Sequence, residues 1–124
     1  MKSILVVDDD AEDLEFIEEA LNGEGYRVIC LRNGQEAFQR AQKEKPDLMI
    51  LDVLMPKLDG AELVYRLRHQ PGTSDIPFIF LTSAAEGLNN RFVAGKVTYE
   101  VFGKPFKKEE LLCSIRRILS PAEK

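Results

Sequence analysis

Asp8, Asp9 and Asp52 each lie at the end of an apolar run, and Thr82, Ser83 and Lys104 lie at the ends of two more. The first run, ILVVDDD at residues 4–10, closes on adjacent carboxylates that repel one another. Three carboxylates about 5 Å apart would repel by roughly 3 kcal/mol per pair at an effective dielectric near 20. Something positive must offset that. Lys104 supplies one charge, and a hard divalent cation would supply the rest. All-oxygen ligation with few carboxylates and room for water suits magnesium, which shares such sites with phosphate. A carboxylate beside magnesium and an ammonium group is a competent nucleophile toward phosphorus, as in enzymes that form an aspartyl phosphate. Metal and ammonium would neutralise the oxygens of the transferring group, and the Thr82 hydroxyl could bond to it on arrival.

Taken singly, each of these residues has a structural explanation. An Asp after a buried strand is commonly a turn former or helix cap, and Asp10 is read that way, as the start of the first helix. A lone Thr at a strand end is usually structural. Turn chemistry does not account for four of five strand ends bearing complementary groups. Other chemistries lack their parts. His69 is the one histidine of the chain, so a Ser/His/Asp triad has no base to spare and a multi-histidine zinc site is excluded. Following Arg66 and Arg68 near a helix end, it is expected to be a solvated surface residue.

Five short runs read as strands: residues 3–8, 27–31, 48–52, 77–82 and 99–102. Most are continuously apolar, the mark of strands covered on both faces of a parallel sheet. Helical periods lie between them. In the first, Leu14, Ile17, Glu18 and Leu21 fall on one side, and Gly23 or Gly25 stops it. Asn33 can cap the second, which ends before Pro46. Asp59 can cap the third, with Leu63, Val64 and Leu67 facing inward. The last carries Leu111, Leu112, Ile115, Ile118 and Leu119 and stops before Pro121. Residues 84–98, with two glycines and adjacent Asn89 and Asn90, predict only a short or frayed helix. The PGTSD turn after the third helix and the polar tail 120–124 are the only linker-like stretches. Alternating strands and helices make an α/β, doubly wound domain with helices on both faces. In such a sheet ligands bind outside the carboxyl ends of the strands, where Asp8, Asp9, Asp52, Thr82 and Lys104 converge. The second strand ends in Arg32, which is expected at the edge and outside the cluster.

At 124 residues and 14.1 kDa the chain fits one domain, residues 1–124, able to close a core without staples. No apolar stretch approaches the length of a membrane span and no signal peptide is apparent, so a cytoplasmic location is expected. Cys30 and Cys113 lie far apart among apolar neighbours and read as buried free thiols. Seventeen basic and twenty-one acidic residues leave a net charge of −4 with no long basic run, which argues against direct nucleic-acid binding by this domain.

The motifs VVDDD at 6–10, DVLMPKLDG at 52–60, LTS at 81–83 and KPF at 104–106 together resemble the response-regulator receiver domains of bacterial two-component signalling, over nearly the whole chain. The resemblance implies a flavodoxin-like five-stranded parallel sheet in the order 2-1-3-4-5. It implies that Asp52 is the phospho-acceptor and that Asp8, Asp9, Asp52 and the backbone carbonyl of Leu54 hold Mg2+. Thr82 would be the switch hydroxyl and Lys104 the phosphate-binding ammonium. Met55 and Pro56 would shape the loop after the third strand, Gly60 would permit its turn into a helix, and the Lys104–Pro105 bond would be cis. The implied donor is a sensor histidine kinase or a histidine phosphotransfer protein, and the output is an unknown downstream protein. Catalysis would be limited to the domain's own phosphorylation and dephosphorylation.

The chain departs from that family at several positions. Val101 stands where an aromatic switch residue is usual, with Tyr99 and Phe102 beside it. Ser83 replaces the usual small residue and can add a hydrogen bond or narrow access. Val97 and Thr98 replace a Gly-Ala pair. Leu54 and Ala84 cannot orient an attacking water, so slow loss of the phosphoryl group is expected; rapid decay in magnesium buffer without a phosphatase would contradict this. The alternative function is a phosphorylation-independent pseudo-receiver acting as a constitutive protein-binding module. A magnesium phosphatase wants a second acid where Leu54 stands, and a flavin carrier would cradle the flavin phosphate after the first strand, where Asp8, Asp9 and Asp10 would repel it. Tyr99, Phe102 and the exposed side of the last helix are the candidate partner surface, unless both aromatics pack in the core. The chain reads either as a stand-alone receiver or as a domain of a longer regulator.

Overall fold

The structure is a computed structural model. It describes residues 2–52, 60–82, 99–103 and 106–119, with Gly60, Ala61, Thr82 and Tyr99 described by backbone alone. Five strands form one parallel sheet: β1 (Ser3–Val7), β2 (Arg27–Leu31), β3 (Leu48–Asp52), β4 (Phe78–Thr82) and β5 (Tyr99–Gly103). Their order is β2-β1-β3-β4-β5, which places β1, β3 and β4 in the interior and β2 and β5 at the edges. The helices among the described residues are α1 (Ala11–Asn22), α2 (Gly34–Glu44), α3 (Gly60–Arg68) and α4 (Lys108–Leu119).

Continuous apolar strands are needed because each face of the sheet has its own core. Leu5, Val7, Met49, Leu51, Phe78 and Phe80 point to one face, where they meet Ala37 and Ala41 of α2 and Leu63, Val64 and Leu67 of α3. Ile4, Val6, Leu48, Ile50, Ile79 and Leu81 point to the other, against Leu14, Ile17 and Leu21 of α1 and Leu111, Leu112 and Ile115 of α4. Side chains alternate faces along a strand, so a strand buried on both sides must be apolar at every position.

The element ends follow local chemistry. Asp10 caps α1, its carboxylate accepting from the amides of Glu12 and Asp13, while Glu12 and Asp13 favour the positive end of the helix. Asn33 caps α2 by accepting from the Glu36 amide at 2.8 Å. Helix α2 ends with Lys45 in the left-handed region, at φ 47°, a place more often taken by glycine. After α1 the chain reverses at Gly25, φ 87°, whereas Gly23 keeps a right-handed conformation. Pro77 lies just outside β4, having no amide to give, although its carbonyl accepts from Met49. In the PGTSD turn, buried Thr73 donates to the Leu67 carbonyl at 2.7 Å and so ties the turn to the end of α3.

Several expectations need correction. Glu18 is exposed, and Ala20 takes the buried place on α1, because a charged side chain stays in water while a small one fits against the sheet. Cys113 is exposed, on the side of α4 opposite Leu111, Leu112 and Ile115, and Cys30 is only half-buried; both are free thiols. Burial, with Glu18 adding to it, pushes the Cys30 thiol up to about 11. His69 is exposed as expected, its Nδ1 lying 2.7 Å from the Tyr65 carbonyl. Phe102 packs on the α1/α4 core and Val101 is exposed. The Asp59 cap, the 84–98 segment, Ser83, Met55, Pro56, the Lys104–Pro105 bond and the 120–124 tail lie outside the described residues.

Candidate metal and phosphoryl site

The parallel register brings the carboxyl ends of the interior strands to one level. Val7 pairs with Leu51, so Asp8 follows beside Asp52, and Asp52 pairs with Leu81 of β4. Thr82 comes next and is level with Gly103, the residue before Lys104. One rim therefore receives the ends of all these strands.

Asp8, Asp9 and Asp52 meet there, each offering a carboxylate oxygen within 4.8 Å of the others. Exposed acidic groups often cluster to no purpose, but here Asp8 is only 1% exposed and Asp52 only 7%. Burying carboxylates is costly unless partners or a metal compensate. Asp8 is held at its backbone and at its side chain: its amide donates to the Leu31 carbonyl at 3.1 Å, and its Oδ1 accepts from the Asp10 amide at 2.9 Å. Asp10 thus braces Asp8 through its backbone while capping α1 with its side chain. Asp52 is fixed by its place at the end of β3. Asp9, half-exposed in the turn between β1 and α1, is held through its main-chain carbonyl, which accepts from Arg32 Nη2 at 2.9 Å.

Three of the expected site residues, Asp8, Asp9 and Asp52, therefore come together. Thr82 stands at the end of β4, with its side chain outside the description, and Leu54 and Lys104 lie outside the described residues. Arg32 was expected to lie outside the cluster because β2 is an edge strand. The strand is at the edge, but the guanidinium reaches back across the carboxyl end of β1 to Asp9. The length of the arginine side chain, next to a strand paired with β1, was the available signal.

The donor set, all oxygen, anionic and partly open to water, is one that suits a hard divalent cation. A solved structure of the receiver domain of sensor histidine kinase PA1611 from Pseudomonas aeruginosa PAO1, with a magnesium ion coordinated in its active site cleft, superposes with a TM-score of 0.85 at 30% identity, over 97% of this chain and 98% of that one. The response regulator TrrA from Thermotoga maritima, in complex with Mg(2+)-BeF, gives a TM-score of 0.81 at 32% identity, over 96% and 100% of the two chains.

In sequence, the chain is 36% identical to the alkaline phosphatase synthesis transcriptional regulatory protein PhoP of Bacillus subtilis, over 98% of this chain and 50% of that protein. It is 40% identical to the probable transcriptional regulator ycf27 of Pyropia yezoensis, over 99% of this chain and 49% of that protein. The chain thus spans about half the length of the curated relatives it matches. No helix among the described residues is long and apolar enough to cross a membrane. The family model for the response regulator receiver domain matches residues 4–116, nearly the whole sheet-and-helix unit that carries the acidic rim, and the chain belongs to that family.

Proposed function

We propose that this receiver takes a phosphoryl group onto Asp52 from the phosphohistidine of a sensor histidine kinase or phosphotransfer protein, and that the modification switches a protein-interaction surface. The observation that carries this is the meeting of Asp8, Asp9 and Asp52 within 4.8 Å at the carboxyl rim, two of them buried. Asp8, Asp9 and Asp52, with the Leu54 carbonyl, would hold Mg2+. When bound, the cation offsets the charge of the carboxylates and of the incoming phosphoryl oxygens.

In the transfer, an Asp52 carboxylate oxygen attacks phosphorus and forms an O–P bond as the P–N bond to the donor imidazole breaks. The electron pair stays on that nitrogen, which takes up a proton, leaving neutral histidine and an aspartyl phosphate. The Lys104 ammonium would pair with the phosphoryl oxygens, and the Thr82 hydroxyl would donate to one of them after transfer. Both roles rest on the family resemblance and on the places of these residues after β5 and at the end of β4. The names of the sequence relatives, transcriptional regulators of which this chain spans about half, support a transcriptional output.

Mass spectrometry after treatment with acetyl phosphate and Mg2+ tests this. A phosphate-sized mass gain is expected that disappears with EDTA and in Asp52→Asn. The same gain in Asp52→Asn would remove Asp52 from its role. No gain with either acetyl phosphate or phosphoramidate would leave a constitutive binding module instead.

A further inference from the structure

The three carboxylates of the rim are held unequally. Asp8 is held by its amide on the Leu31 carbonyl and by its Oδ1 on the Asp10 amide, and Asp52 by its strand, but Asp9 lies in the turn between β1 and α1. Its one described contact outside that turn is the hydrogen bond from Arg32 Nη2 to its carbonyl, at 2.9 Å. Arg32 itself stands on firm ground. It directly follows Leu31, the last residue of β2, and directly precedes Asn33, whose side chain caps α2. The Leu31 carbonyl also receives the Asp8 amide at 3.1 Å. Residues 31 and 32 thus clamp residues 8 and 9 at two successive points.

We propose that Arg32 is a positioning residue of the cation site, holding the β1–α1 turn so that the Asp9 carboxylate faces Asp8 and Asp52 before the cation arrives. This rests on the magnesium site proposed above. A positive charge and a positional brace act in opposite directions here. By charge alone the guanidinium repels a divalent cation, and its removal would tighten binding. As a brace it spares the site the entropy of ordering Asp9, and its removal would loosen binding. The guanidinium is exposed, so water and salt screen its charge, whereas the ordering cost is borne in full at each binding event. The brace prevails.

Calorimetric titration of the full chain with Mg2+ decides the matter. Arg32→Met, of similar length but with neither donor nor charge, should weaken Mg2+ binding by about 3- to 10-fold, less than the roughly 10- to 100-fold of partners that touch a metal ligand's own donor group, because Arg32 holds Asp9 through its main chain. Arg32→Lys, which keeps the reach and a donor, should stay within about twofold of the parent. With acetyl phosphate as donor, the Mg2+ concentration for half-maximal phosphorylation should rise in Arg32→Met by the factor seen in the titration, with the rate at saturating Mg2+ unchanged. Equal or tighter Mg2+ binding by Arg32→Met overturns the proposal, as does an equal loss in Arg32→Lys. Asp9→Asn separates the two levels of inference. If it binds Mg2+ as the parent does, the cation site itself is wrong. If it loses binding while Arg32→Met keeps it, only the role of Arg32 falls.

Discussion

Asp9→Asn gives the sharpest energetic test of the acidic rim, because it removes one charge while keeping size and an acceptor oxygen. Asp9 also has the most exposed carboxylate of the three, so the change disturbs the core least. At 4.8 Å, two unit charges repel by about 3.5 kcal/mol at an effective dielectric near 20. Asp9 faces two such partners at that distance or less, so the repulsion before screening is about 7 kcal/mol or more. Its half-exposed position lets water and salt screen most of that, leaving an expected gain of about 1–2 kcal/mol in the absence of metal. For a chain of this length that is a rise in Tm of about 3–10 °C, read by circular dichroism in EDTA. Magnesium should reverse the order. The parent gains about 2.7 kcal/mol when Mg2+ reaches a hundred times its Kd, and Asp9→Asn should gain less than half as much at the same concentration. High salt should narrow the difference seen in EDTA. A lower Tm for Asp9→Asn in EDTA, or an undiminished gain from Mg2+, would refute the account of the three acids as a repulsive cluster relieved by a cation.

Other consequences are local. Asp10→Ala removes the cap of α1, with its bonds to the Glu12 and Asp13 amides, and should cost about 1 kcal/mol in urea unfolding with the m-value unchanged. Lys45→Gly relieves a left-handed residue at φ 47° and should raise stability by about 0.5–1 kcal/mol, even though it loses the exposed bond from Lys45 Nζ to the Gln42 carbonyl. With its thiol pushed up to about 11, Cys30 is about one part in a thousand thiolate at pH 8. A disulfide reagent at that pH should therefore modify exposed Cys113 quickly and Cys30 slowly, with Cys30 speeding up as the pH climbs toward 11. Equal rates for the two thiols at pH 8 would contradict the half-buried placement of Cys30.

Most of the architecture was legible in the residues. Apolar runs without alternation demanded strands covered on both faces, and the two cores found there, one under α2 and α3 and the other under α1 and α4, are what that pattern requires. Asp10 and Asn33 announced their helices because capping is a contact between residues two or three apart. Burial of a helical residue follows the helical period, not the polarity of its neighbours in the chain. Cys113 looked buried among apolar residues, but the face of α4 that meets the sheet is set by Leu111, Leu112 and Ile115, which leaves residue 113 outside.

The alternation of strands and helices, the helix caps and the residue types offered at the strand ends can all be read along the chain, since they arise from periodicity and short-range bonding. The folded sheet sets how close Asp8, Asp9 and Asp52 come on the rim where their strand ends were expected to converge, within 4.8 Å, and brings Arg32, just after edge strand β2, back to the Asp9 carbonyl. Strand order and register set those distances. They follow from packing two helical layers on one twisted sheet, which brings together residues more than forty positions apart.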